Sequence, residues 1–157
     1  MMLTFIVIRT VPRLFALIIG VNVYQDGKIP NLKGAVPDAE AIREFIVNEL
    51  DVPASQMTIL LNSQATRSAI IEAFQKLAVN PAIQRGDAIL IFYAGHGSVA
   101  TAPENWHTED GKIQMLVPVD CGIKDIHGIP DKTIGSLITK IADNKGDNIV
   151  CVPFFRW

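Results

Sequence analysis

A histidine between two glycines, Gly95-His96-Gly97, is the pattern in this sequence with the clearest capacity for chemistry. It follows residues 88–93, AILIFY, a run that is apolar at every position, as in a central parallel strand. In open α/β sheets, ligands and catalytic groups collect at the carboxyl ends of the strands, so His96 lies where chemistry is expected. Glycine on both sides removes side-chain bulk and permits a positive φ, which predicts a tight turn that projects the imidazole. The alternative is a structural histidine that is hydrogen-bonded within the turn.

The same glycines also fit a phosphate-binding fingerprint, G-x-G-x-x-A, over residues 95–100, with Asp120 twenty residues further on. That motif requires a helix to begin at the glycines, so that its N-terminal amides meet the pyrophosphate, and the residues that follow show no amphipathic helix. A P-loop fits less well, because six residues separate Gly20 from Gly27 and Ile29 replaces the metal-binding hydroxyl. Nucleotide binding is therefore the weaker interpretation.

The elements that position His96 alternate between short, apolar, β-branched-rich runs and longer segments with helical periodicity. This is the pattern of βαβ units around a parallel sheet, so the sequence predicts an α/β fold. The predicted strands cover residues 15–21, 57–61, 88–93 and 148–152. The first predicted helix covers residues 36–50. The second begins after its N-cap, Thr66, and ends before Pro81, and the third runs from Asp131 to Lys145. A loop is predicted over residues 98–112, followed by a short edge strand over residues 113–117.

Length and composition limit the classes of function. With 157 residues, 49% of them hydrophobic and 19% charged, and a mean hydropathy of +0.28, the chain has material for one domain with a sizeable core, which excludes global disorder. Its 14 basic and 16 acidic residues give a net charge of −2, so no positive excess is available to bind nucleic acid or anionic lipid. No apolar run approaches the roughly 20 residues that span a bilayer. The sequence predicts neither a nucleic-acid nor a membrane partner.

The two cysteines of the sequence, Cys121 and Cys151, are too few for a disulfide framework and lack the C-x-x-C spacing of zinc or redox sites. The reducing cytosol is then the default compartment. The apolar residues 3–8 have no basic region ahead of them, and Arg9 and Pro12 interrupt the run, which argues against a signal peptide. The prediction is a cytoplasmic protein.

Five motifs, in order along the chain, resemble those of the caspase-like cysteine peptidases, and the metacaspase-type members of fungi are the most similar. The motifs are LFALIIGVN at residues 14–22, LKGAVPDA at 32–39, IFYAGHG at 91–97, LVPVD at 116–120 and GDNIV at 146–150. The resemblance covers residues 13–150, a partial peptidase domain, and leaves residues 1–12 as an extra segment and 151–157 as a divergent tail. It implies a three-layer α/β/α caspase-like sandwich with a mostly parallel sheet, in which a histidine that ends the third strand pairs with a cysteine that ends the fourth.

The resemblance also implies roles for three residues and a peptide or protein substrate. His96 corresponds to the dyad histidine, which deprotonates or orients a thiol and then protonates the leaving amine. The amide of Gly97 corresponds to the oxyanion donor. Asp38 matches an acidic residue of the primary specificity pocket, which in metacaspases favours Arg or Lys before the cleaved bond. The alternative for Asp38 is a charge at a helix N-terminus that needs no ligand.

The sequence departs from the family pattern where the nucleophile is expected. Metacaspase-type sequences continue the fourth strand into a motif like DCCHSG, whereas here residues 148–150 are followed by CVPFFRW. The register of the strand places the nucleophile near Phe155 or Arg156, so Cys151 lies four or five residues early, roughly 13 to 17 Å away. Cys151 is therefore predicted to be a buried strand cysteine. Cys121 follows Asp120 in a predicted loop, from which it could swing toward His96, but the family pattern gives it no catalytic role.

No metal site and no cofactor are predicted. His107 and His127 lie in predicted loops without a partner at ligand spacing. Many metacaspases respond to calcium through clustered carboxylates, so calcium is possible by resemblance only. The carboxylates that this chain offers are scattered, namely Glu104, Glu109, Asp110 and Asp125.

We therefore expect a single α/β domain that corresponds to the first four core strands of a caspase-like endopeptidase, cut before the catalytic cysteine and before the last two strands of the family. By itself the chain is expected not to hydrolyse peptides, because a dyad without a thiolate lacks its nucleophile. The alternatives are a regulatory or interaction module that associates through the unpaired edge of the fourth strand, and a truncated gene model of an active peptidase. A role in programmed cell death would rest on the resemblance alone.

Overall fold

A four-stranded parallel sheet forms the centre of the fold. Its strands are β1 (Leu14–Gly20), β2 (Met57–Leu61), β3 (Ala88–Gly95) and β7 (Ile149–Phe155), in the order β2-β1-β3-β7. The computed structural model describes residues 13–155 apart from 104, 107 and 109. The extra segment predicted over residues 1–12 lies outside the described residues.

Three helices cover the two faces of this sheet, as the α/β/α prediction requires. They are α1 (Ala35–Asn48), α2 (Arg67–Val79) and α3 (Asp131–Lys145). Alternate residues of the strands point to opposite faces, because side chains along a strand alternate with a period of two. Ala16 and Ile18 of β1 pack with α1, whereas Leu17 and Ile19 pack with α2 and α3. The three-layer architecture is thus confirmed.

The sequence patterns located these strands and helices correctly. Strand β2 has the predicted bounds, and β1 is shifted by one residue from the prediction. The hydroxyl of Thr66 caps α2 by accepting a hydrogen bond from the amide of Ala69 at 3.2 Å. Helix α3 ends at Lys145, before Gly146, whose φ of 93° suits glycine.

A second, antiparallel sheet corrects the prediction for residues 98–117. Its strands are β4 (Gly97–Thr101), β5 (Lys112–Leu116) and β6 (Ile129–Pro130), in the order β4-β5-β6. The predicted loop was wrong over β4, because Gly97, Ser98 and Ala100 carry little strand propensity and the strand depends on its pairing with β5. The predicted edge strand over residues 113–117 was also wrong, because β5 lies in the middle of this sheet.

Strand β7 forms one edge of the parallel sheet, and within the described residues no strand pairs with its outer side. The strand runs without interruption from Ile149 to Phe155, across the boundary predicted after residue 150. Val150 and Val152 on this strand are 57% and 38% exposed. No helix in the described part of the chain has the length and apolar content needed to cross a membrane.

Candidate active site

His96 lies at the carboxyl edge of the parallel sheet, as predicted. It is the single residue between Gly95, the last residue of β3, and Gly97, the first residue of β4. Its half-buried side chain lines a cleft of about 270 Å³. The other residues that line the cleft are Lys28, Ile29, Pro30, Gly97, Ser98, Val117 and Cys121. The imidazole is therefore accessible from a concave surface and is not packed into the core.

The two flanking glycines are needed for space and not for unusual backbone angles, which corrects the prediction of a positive φ. Neither Gly95 nor Gly97 is among the positive-φ residues of the described chain. A Cβ atom at Gly95 would overlap the hydroxyl of Tyr93, and one at Gly97 would lie 2.8 Å from Cδ1 of Phe155. The chain thus passes from one sheet to the other in an extended form, with aromatic side chains packed against it.

A backbone carbonyl fixes the ring of His96. The Nε2 atom lies 2.8 Å from the carbonyl oxygen of Pro30. Because a carbonyl oxygen only accepts hydrogen bonds, Nε2 carries a proton and donates it. Nδ1 is then the nitrogen that gains or loses a proton when the imidazole acts as an acid or a base.

Two buried tyrosines hold the backbone of His96. The amide of His96 donates a hydrogen bond to the hydroxyl of Tyr24 at 2.8 Å, and the ring centroids of the two residues are 5.1 Å apart. The hydroxyl of Tyr93 lies 2.8 Å from the carbonyl oxygen of His96 and 3.0 Å from that of Val117. Burial raises the pKa of both tyrosines, so both hydroxyls stay protonated at neutral pH.

The nucleotide-binding interpretation is not supported by this geometry. The residues after Gly95 form β4 and not a helix, so no helical N-terminus faces the glycines. The buried carboxylate of Asp120 accepts a hydrogen bond from the amide of Arg67 at 2.8 Å, at the N-terminus of α2. Asp120 therefore anchors the segment after β5 to a helix.

Asp38 and Gly97 lie in different places relative to the cleft. Gly97 lines it beside His96, where the predicted oxyanion donor would be. Asp38 lies in the first turn of α1, is half-buried, and is not among the residues that line the cleft. A carboxylate in this turn interacts favourably with the helix dipole, so both predicted interpretations of Asp38 remain.

Cys151 is remote from His96. In the β3–β7 pairing it lies opposite Ile91, five residues before His96, which corresponds to about 16 Å along the strand. Its side chain lines an apolar cavity of about 310 Å³ between the sheet and α3. The prediction of a buried cysteine was wrong, because Cys151 is exposed at the edge of the sheet.

Cys121 lines the same cleft as His96. Burial raises the pKa of its thiol, and the nearby carboxylates of Asp120 and Asp26 raise it further. The thiol is therefore protonated at neutral pH, and a protonated thiol is a poor nucleophile.

Sequence reasoning missed Tyr24 and Pro30. Tyr24 and Pro30 lie in the loop between β1 and α1 and reach His96 across 72 and 66 residues of chain. The local signal was a single aromatic residue, Tyr24, in that loop.

The described residues do not fit a metal site. His127 is exposed, and no three histidine, cysteine or carboxylate side chains of the described chain are grouped closely enough to hold an ion. His107, Glu104 and Glu109 lie outside the described residues.

Three comparisons relate the chain to known proteins. The family model described as the metacaspase, peptidase C14 domain matches residues 15–151. Metacaspase-1 of Eremothecium gossypii is 29% identical over 111 residues, which are 67% of this chain and 24% of that protein. The crystal structure of a Geobacter sulfurreducens protein superposes with a TM-score of 0.67 at 23% identity and covers 92% of this chain and 50% of that one.

The chain spans about a quarter of the length of the curated relative and half of the solved one. The structural likeness, at 23% identity, supports the caspase-like α/β fold alone. The family match supports more than the fold, because it covers the parallel sheet as far as Cys151 in its fourth strand and includes the turn that carries His96. On these grounds the chain belongs to the metacaspase, peptidase C14 domain family.

Proposed function

We propose that this chain carries the histidine side of a cysteine-peptidase active site, with peptides or proteins as substrates. The observation that carries the proposal is the position of His96, which lines an open cleft at the carboxyl edge of the sheet. Strand β7 pairs with β3 up to the same edge. Phe155 of β7 lies opposite Gly95, the residue directly before His96, so the carboxyl end of β7 lies beside the turn that carries the histidine. Membership of a peptidase family supports the same function.

The proposed reaction is acyl transfer to a thiol. Nδ1 of His96 accepts the proton of the thiol, and the thiolate sulfur attacks the scissile carbonyl carbon. The amide of Gly97 donates a hydrogen bond to the oxygen that becomes negative. The carbon–nitrogen bond then breaks as the imidazolium returns its proton to the leaving amine. Water hydrolyses the remaining thioester, with the imidazole again taking a proton and returning it to the sulfur.

In this proposal neither cysteine of the 157-residue sequence is the nucleophile. Cys151 is about 16 Å too early along β7, and hydrogen-bond reach is about 3 Å. Cys121 shares the cleft with His96, but its thiol is held in the protonated form by burial and by two carboxylates. The polypeptide of this sequence is accordingly expected not to hydrolyse peptides by itself.

The test is a hydrolysis assay on fluorogenic peptides that end in Arg or Lys, with the 157-residue polypeptide and its His96→Ala variant. No rate above the buffer control is expected from either protein. A rate that disappears in His96→Ala would overturn the proposed inactivity. A rate that disappears instead in Cys121→Ser would identify Cys121 as the nucleophile.

For specificity, we assign Asp38 to the recognition of a basic residue before the cleaved bond, on the strength of its charge and its matching motif. The half-buried carboxylate near the N-terminus of α1 can pair with Arg or Lys only if the substrate extends beyond the cleft that His96 lines. Chemical-shift perturbation by Arg-ended and Glu-ended peptides checks this assignment. A preference for the Arg peptide that Asp38→Asn leaves intact would contradict it, and Glu40→Gln on the same helix is the matched control.

A second candidate function is a non-catalytic interaction module, favoured by the unpaired outer side of β7 with its exposed valines. An apolar strand edge offers backbone hydrogen bonds to another strand. Analytical ultracentrifugation at several concentrations separates the two cases. A monomer at every concentration would argue against association through β7.

The proposed location is the cytoplasm. Both Cys121 and Cys151 are free thiols in the structure, which suits a reducing compartment. Fractionation of cells that express a tagged chain is the direct measurement, and recovery in a secreted fraction would contradict the proposal.

A further inference from the structure

The loop between β1 and α1, residues 21–34, contacts His96 on two sides. From this loop the carbonyl of Pro30 accepts the ring Nε2–H, and the hydroxyl of Tyr24 accepts the backbone amide, both at 2.8 Å. The ring of Tyr24 also lies beside the imidazole, tilted by 40°. One short segment thus fixes both the backbone and the ring of the residue that would exchange protons.

We propose that Tyr24 is a positioning residue for His96, which keeps the imidazole of His96 aligned with the Pro30 carbonyl so that Nε2 retains its proton. The catalytic meaning of this inference rests on the proposed function. The structural part of it does not, because it concerns the orientation of one ring.

Tyr24 suits this role because its hydroxyl is buried and has a defined environment. The side chain is 6% exposed, and the hydroxyl lies 3.4 Å from the carbonyl oxygen of Val21 within the same loop. A buried hydroxyl that accepts the His96 amide and donates elsewhere leaves little rotational freedom at the turn. Loss of the hydroxyl would leave the amide of His96 without its acceptor.

Three asparagine side chains hold the loop in the shape that the contacts to His96 require. Oδ1 of Asn31 accepts the amide of Tyr24 at 3.1 Å and closes the loop between Tyr24 and Pro30. Oδ1 of Asn62 accepts the amide of Asn22 at 2.9 Å, and Oδ1 of Asn22 in turn accepts the amide of Ala35 at 2.9 Å. The distance between Tyr24 and Pro30 is therefore set by the loop itself, independently of His96.

The contact with Tyr24 differs from that with Tyr93, the other tyrosine at the turn. The hydroxyl of Tyr93, on β3, lies within hydrogen-bond distance of the carbonyl oxygens of His96 and of Val117, which directly follows β5. Tyr93 thus links the two sheets. Tyr24 acts from the loop that also contacts the imidazole. The two tyrosine hydroxyls also hydrogen-bond to each other, so removal of the Tyr24 hydroxyl should disturb the ring of His96 and also weaken the contact that Tyr93 makes with the turn.

The experiment is nuclear magnetic resonance on the ¹⁵N-labelled 157-residue chain and its Tyr24→Phe variant, which keeps the aromatic ring. The Hε2 proton of His96, protected by the Pro30 carbonyl, should give an imidazole signal in the natural chain that is broadened beyond detection in Tyr24→Phe. Exchange of the His96 amide with solvent should accelerate about three- to tenfold, as expected for the loss of one hydrogen bond. His96→Gln assigns the signal against those of the other histidines.

The matched control is Val23→Ala, which changes a neighbouring side chain that is 53% exposed and should leave both readouts unchanged. Asn31→Ala, which removes the acceptor of the Tyr24 amide, should reproduce the loss of the Hε2 signal even if Tyr24→Phe folds poorly. An Hε2 signal that persists in both folded variants would overturn the positioning role. Because these readouts need no activity, they remain decisive whether or not the peptidase function holds.

Discussion

Phe155 lies opposite Gly95 in the pairing of β7 with β3, and its ring centroid is 5.9 Å from that of Tyr93. The ring also lies where a side chain at Gly97 would be. The end of β7 therefore meets the turn that carries His96, at the place where a dyad partner would be presented.

This relationship predicts that a thiol introduced at residue 155 is activated by His96. In a Cys121→Ser, Cys151→Ser background, Phe155→Cys should react with iodoacetamide at neutral pH at least about tenfold faster than an ordinary exposed cysteine, because a neighbouring imidazole favours the thiolate. Alkylation rates followed by mass spectrometry provide the measurement. Adding His96→Ala should remove the enhancement, and equal rates with and without His96 would contradict the proposed geometry.

The raised pKa of Cys121 predicts slow alkylation of the natural chain at neutral pH. A pKa above its ordinary value means that less thiolate is present at any given pH, so the rate should keep rising with pH beyond the range in which ordinary cysteines level off. Asp26→Asn removes a nearby negative charge and should lower this pKa and accelerate alkylation at pH 8. Asp143→Asn, on the exposed side of α3, is the control and should have no effect.

Gly97→Ala should destabilise the fold by about 1–3 kcal/mol, the usual range for an overpacked site. The new methyl group would lie 2.8 Å from the ring of Phe155, which must then shift away from Tyr93. Urea unfolding measures the change in free energy. Gly135→Ala in α3 has no atom within 4 Å of the added group and should be neutral or stabilising by up to about 1 kcal/mol, so a similar loss in both variants would contradict the packing argument.

Asp120→Ala should cost about 1–3 kcal/mol, because it removes a buried acceptor from the amide of Arg67 at the first turn of α2. Thermal or urea unfolding followed by circular dichroism provides the measurement. Asp110→Ala, which removes an exposed acceptor of the Lys112 amide, should cost clearly less. Equal losses would show that burial of Asp120 contributes little.

Much of the architecture could be predicted because its signals are local. A continuous apolar run such as residues 88–93 specifies a strand that is covered on both faces, and the Thr66 hydroxyl marks a helix start by its own hydrogen bond. The order of these elements then limited the sheet to a parallel α/β arrangement. The position of His96 at the edge of that sheet followed from the same rule.

What sequence reasoning missed depends on contacts between distant parts of the chain. Strand β4 includes Gly97, Ser98 and Ala100, which do not favour strands, and it forms because the distant β5 pairs with it. The glycines beside His96 were assigned a backbone role, whereas the aromatic rings of Tyr93 and Phe155 fill the space beside them. For Cys121 the loop position left an approach to His96 open, and tertiary packing is what places it in the cleft.

The junction between the two sheets is one residue long, and that residue is His96. Any tilt of the antiparallel sheet against the parallel one must consequently rotate the backbone that carries the imidazole. Substitutions in β5 or β6, which lie outside the cleft, would therefore change the orientation of the histidine by tilting the sheet. The contacts of Tyr24, Tyr93 and Pro30 with His96 oppose such a rotation.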